Sequence, residues 1–93
     1  MKNEMYIIIN TKTGCPIGRA RTYSPTVAVN YDEVKHDENG LTCMVDVLEV
    51  MGYTIENYEY ATAKKTSPMS RDRRYDLDDL KMIIVDCDTG VIR

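Results

Sequence analysis

Two short runs of large apolar residues stand near opposite ends of this chain: MYIII at residues 5–9 and MIIV at residues 82–85. Neither run alternates with polar residues. A strand that is apolar on both faces needs cover on both faces, which places it in mid-sheet. The two runs therefore call for a sheet at the centre of the fold with something packed on each side of it. The chain has 93 residues, enough for one domain over 1–93 and near the small end of independent folding.

The residues after each run are alike. YIIINTKTGCPI and MIIVDCDTGVIR both place an Asn or Asp after the apolar stretch, then Thr-Gly, then apolar residues again. Asn10 or Asp86 can accept a backbone hydrogen bond two residues on. Gly14 or Gly90 can take the left-handed conformation that closes a hairpin. The same turn chemistry used twice explains the likeness without a duplication.

Between the hairpins the signals differ in clarity. Pro16 lacks the N–H of a ladder donor and puts the next strand, at about 17–23, on an edge. Residues 24–36 fit two periods. Val27, Ala28, Tyr31 and Val34 share a helical face behind Ser24-Pro25, while Val27, Val29 and Tyr31 alternate as in a strand. The need to cover the second face of the sheet favours helix. Residues 41–51 predict a helix through Leu41, Met44, Val45, Leu48 and Met51, closed by Gly52. Residues 53–62 read as a strand with a bulge near Asn57, residues 63–74 as a basic loop, and residues 76–79 as a turn. The expected fold is α+β: a small mixed or antiparallel sheet of four or five strands carrying one or two helices. Its order is roughly ββααββ, close to a β-grasp plan.

Composition narrows the function classes. With no Trp or Phe, seven Tyr and six Met supply the large side chains, and each Tyr hydroxyl needs water or a partner. No apolar run reaches the roughly 20 residues of a membrane span or resembles a signal peptide, so a cytoplasmic location is expected. Cys15, Cys43 and Cys87 are odd in number and widely spaced, as reduced packing thiols would be. The net charge of −3 hides blocks. Residues 32–62 carry eight acids and one Lys, residues 63–74 five basic residues and one Asp, and residues 75–88 five Asp and one Lys.

The stretch Asp86-Cys87-Asp88-Thr89-Gly90 looks most like chemistry. It resembles the start of a calcium loop, but such a loop needs a Glu at its twelfth position. It is similar to the nucleophile strand of the haloacid-dehalogenase phosphatases, whose D-x-D-G-T has Gly and Thr in the other order. It also resembles the D-T-D-P-G-x-D-D opening of nucleoside hydrolases, without the Pro and the later acids. The N-terminal hairpin makes the same turn with Asn10 and Lys12 in place of the two Asp, so a turn accounts for both copies. His36, among Lys35, Asp37 and Glu38, reads as a solvated side chain, and Asp76, Asp78 and Asp79 as a solvated turn. No catalytic, cofactor or metal residue is expected.

These features point to a small protein-binding inhibitor or regulator rather than an enzyme. Compact acidic proteins of this length are frequent among phage and mobile-element inhibitors of host defence, anti-CRISPR proteins included; that likeness is one of class alone. The expected partner is a protein with a basic surface that handles nucleic acid. It would be met by Glu49, Glu56, Tyr58, Glu59, Tyr60, Asp76, Asp78 and Asp79, and a homodimer is compatible with the apolar strands. The first alternative is direct nucleic-acid binding through Lys64, Lys65, Arg71, Arg73 and Arg74 in the basic loop. The second is a small metal-dependent enzyme.

Overall fold

A computed structural model describes residues 3–19, 27–56, 62–65 and 74–93. Among these described residues, seven strands and one α-helix follow in order: β1 (Glu4–Asn10), β2 (Cys15–Pro16), β3 (Val29–Asn30), α1 (Met44–Val50), β4 (Tyr53–Glu56), β5 (Thr62–Lys65), β6 (Arg74–Asp76) and β7 (Leu80–Asp86). Short 3-10 turns at Tyr31–Glu33 and Leu77–Asp79 follow β3 and precede β7. The fold is α+β.

The two apolar runs pair with each other. β1 and β7 run antiparallel in register from Glu4 opposite Asp86 to Asn10 opposite Leu80. The other edge of β1 is shared: β3 pairs with Met5 and Tyr6, and β2 with Ile9 and Asn10. Residues 91–93 return along the far side of β7, where Ile84 and Arg93 exchange two backbone hydrogen bonds of 3.1 and 2.7 Å. β1 is thus an interior strand, while β7 has β1 on one side and residues 91–93 along only part of the other. A second antiparallel sheet has the order β4-β5-β6.

Both hairpin turns form as the sequence predicts. The Asn10 carbonyl accepts the Gly14 N–H at 2.8 Å, and the Asp86 carbonyl accepts the Gly90 N–H at 2.7 Å. The side-chain oxygens of Asn10 and Asp86 accept the N–H groups of Lys12 (3.0 Å) and Asp88 (2.9 Å). Thr13 and Thr89 each accept a further N–H, from Cys15 and Val91. Gly14 and Gly90 have φ of 73° and 75°, a region costly for side chains with a Cβ.

The core is Tyr6, Ile8, Ile17, Val29, Val34, Val47, Leu48, Met51, Tyr53 and Leu80. Alternation along β1 turns Tyr6 and Ile8 inward, and α1 packs Val47, Leu48 and Met51 against them. The buried tyrosines keep their hydroxyls partnered: Tyr53 donates to the Gly18 carbonyl at 2.7 Å, and Tyr6 meets His36.

Four sequence expectations are corrected. The second helix is not formed at residues 27–36; Val29 is instead fully buried beside β1, and the Glu33 carboxylate accepts the Asn30 N–H at 2.8 Å to hold a 3-10 turn. Alternation wins there because β1 offers Val29 an open edge. The first helix starts at Met44. The Asp37 carboxylate accepts the Asn39 and Leu41 N–H groups, closing a turn that leaves Leu41 61% exposed, and Val47 rather than Val45 belongs to the buried face. The strand expected at 17–23 is limited to Cys15–Pro16 within the described residues. The strand at 53–62 is a hairpin: Glu56 lies opposite Thr62, so the chain reverses between them, and the two ends of the supposed basic loop, residues 63–65 and Arg74, belong to β5 and β6, while residues 66–73 lie outside the described residues. The bulge expected near Asn57 lies outside the described residues, as do residues 20–26.

Candidate interaction surfaces

The strongest surface follows from the pleat. With Tyr6 and Ile8 turned to the core, Met5, Ile7 and Ile9 face the other way. The register sets Val85 beside Met5, Ile83 beside Ile7, and Lys81 beside Ile9. Ile92, 64% exposed, bridges to Val85 and continues the row. Met5, Ile7, Ile9, Ile83 and Val85 are half-buried, and none belongs to the core or to the hydrophobic shell packed against it. Asn30 opposite Met5 and Lys81 opposite Ile9 give this outer face a polar rim. Sequence reasoning found the doubly apolar strands without naming these residues as contacts.

A second surface lies between α1 and the segment that precedes it. Two adjoining hollows of about 420 and 340 Å³, both lined by Lys35 and Asp46, make up this groove. Glu49, one of the expected contact residues, stands at one end and exposed Leu41 at the other. Glu33 is held by Arg19 at 3.0 Å. The Asn30 N–H and that guanidinium lower its carboxyl pKa below the ordinary range.

Asp76 and Asp79 lie elsewhere. With Asn10, Lys12 and Tyr75 they line a smaller hollow of about 210 Å³, where Lys12 reaches Asp79 at 3.2 Å. Asp78 is exposed on the same 3-10 turn. The expected acidic patch is thus divided between two hollows with different linings. Glu56 ends β4, while Tyr58, Glu59 and Tyr60 lie outside the described residues. Among the basic residues, Lys64 is the cross-strand partner of Arg74 and Lys65 that of Tyr53; Arg71 and Arg73 lie outside the described residues.

His36 is not the solvated residue its neighbours in sequence suggest. It is half-buried, its Nε2 lies 2.7 Å from the Tyr6 hydroxyl, and Tyr31 stacks on its ring at 3.8 Å. Tyr6 is 1% exposed, so this pair ties the segment that follows the 3-10 turn to β1. The Asp-x-Asp pair is likewise engaged: Asp86 caps its own turn, and Asp88 accepts the Asn3 side-chain amide at 3.1 Å. Among the described residues no three His, Cys, Asp or Glu side chains converge as a metal site would require, and no helix is long and apolar enough to cross a membrane.

No protein-family model, curated protein or solved structure matches the chain.

Proposed function

We propose that this chain is a protein-binding module that inhibits or regulates its partner, with the outer face of the four-stranded sheet as its main contact. The observation that carries this reading is the cross-strand row of Met5, Ile7, Ile83, Val85 and Ile92 outside the core. Full burial of an aliphatic side chain contributes about 1.5–3 kcal/mol, and side chains already half-buried retain on the order of 1 kcal/mol each for a partner to gain. The acids at Glu49, Asp76 and Asp78 suit a partner with a basic surface, such as a cytoplasmic protein that handles nucleic acid. Within that class, an inhibitor of a host defence complex of the anti-CRISPR type is the specific role we favour.

The test is capture of partners from host lysate by wild type and by Ile7→Asp, with melting curves to show that both fold. A basic, nucleic-acid-handling protein should be held by wild type and lost by the variant, and its activity should fall on adding wild type. A Lys triple change at Asp76, Asp78 and Asp79 should slow its association. A captured partner that is acidic, or that tolerates Ile7→Asp, rejects the reading. Self-association of the wild type abolished by Ile7→Asp would assign the face to a second copy instead.

A second reading, direct nucleic-acid contact, draws on the register that makes Lys64 and Arg74 neighbours. It requires oligonucleotide affinity that falls steeply with salt and is lost in Lys64→Glu with Arg74→Glu.

A further inference from the structure

We infer that the groove between α1 and residues 33–42 receives an extended, Lys- or Arg-bearing segment of a partner protein. The proposal concerns a surface separate from the outer sheet face and rests on the reading of the chain as a protein-binding module.

Three observations converge on this occupant. Its two hollows adjoin, with Lys35 and Asp46 lining both. Its acids outnumber its bases. Asp46 and Glu49 form no ion pair among the described residues, Asp37 is engaged only by backbone N–H groups, and Lys35 is the single cation in the lining. Glu33 is already neutralised by Arg19, so the unpaired negative charge lies on Asp46 and Glu49 of the helix wall and on Asp37 opposite.

Apolar purchase sits at both ends. Leu41 is 61% exposed because the Asp37 turn holds it out of the helix, and Val50 is half-buried where the groove meets Glu49. A segment that lays cations beside Asp46 and Glu49 and an aliphatic residue on Leu41 satisfies both features. An acidic segment would face uncompensated repulsion. On the opposite wall Val34 is extended, with φ −118° and ψ 151°.

The experiment measures anisotropy of two labelled peptides added to the intact chain. One alternates Arg with Leu, and the other has Glu in place of Arg. The Arg peptide should bind at least about tenfold more tightly, with affinity that falls as salt is raised. The double variant Asp46→Lys, Glu49→Lys should reduce its affinity at least about tenfold and reverse the preference. Asp46→Asn with Glu49→Gln, which removes charge without adding a like one, covers the case in which the reversal does not fold. Leu41→Ser should weaken the Arg peptide further without changing the salt dependence. Equal affinity for both peptides, no binding of the Arg peptide, or binding indifferent to both double variants overturns the proposal. Ile7→Asp separates the two surfaces. It should leave peptide binding unchanged, and partner capture that needs Ile7 while the Arg peptide fails to bind would sink the groove alone.

Discussion

At the scale of single residues, the Tyr6–His36 contact and the Glu4–Arg93 pair are the informative ones. Burial, followed by the nearby Glu4 and Tyr31, raises the Tyr6 phenol above its ordinary 10.0, with Arg93 opposing. The unfolded chain gives up that proton near pH 10 while the folded chain retains it. The stabilisation is therefore complete below about 10 and is lost as pH climbs through the raised value. Tyr6→Phe should cost about 1 kcal/mol at neutral pH, from the lost hydrogen bond, and should flatten the alkaline decline in Tm. An unaltered decline would place the titration on another tyrosine. Glu4, 9% exposed, lies opposite Asp86 across the ladder, and Arg93 is its ion-pair partner. Arg93→Met leaves two facing carboxylates without that cation. Because Arg93 is 54% exposed, water screens part of the pair, and we expect a loss of about 1–2 kcal/mol in urea unfolding. Adding Glu4→Gln should recover much of it.

Among the elements, the hairpin turns give the cleanest test. A Cβ at Gly14 or Gly90 would meet nothing within 4 Å, so a substitution there costs backbone strain alone. Gly90→Val should destabilise by about 1–2 kcal/mol, and Gly14→Val by a similar amount. A Gly90→Val protein melting with wild type would contradict the turn. These turns were legible in the sequence because all their partners lie within five residues: Asn10 with Gly14, Asp86 with Gly90. The central strands were legible too, since an unbroken apolar run has few other places to go. Residues 27–36 were not, because helical and alternating spacing both fit, and the deciding partner is the β1 edge at Met5 and Tyr6. His36 was misread for the same reason: its partner is 30 residues away, while its sequence neighbours are all charged. The β4–β5 hairpin hid behind its polar composition. Of the contact surfaces, the doubly apolar strands announced the outer sheet face, whereas the groove depends on the Asp37 turn, which displaces Leu41 from a helix that its spacing favours.

Taken whole, the molecule hangs on one long-range seam. β1 and β7 make all seven of their pairings between segments separated by most of the chain, and the Cys87 N–H adds a bond to the Asn3 carbonyl at 2.9 Å. A chain stopped after residue 79 should show little ordered structure by circular dichroism. A peptide of residues 80–93 added in trans should restore it, and a cooperative melt of the shorter chain by itself would count against the seam. The seam also governs the order of events during synthesis. Contacts of such sequence separation demand loop closure before any reward, so the sheet assembles late and comparatively slowly. While the ribosome is still making β7, β1 has only the short strands β2 and β3 along one edge, and its other edge is unpaired. An unpaired apolar edge of that kind is the surface on which chaperones and aggregation compete during synthesis.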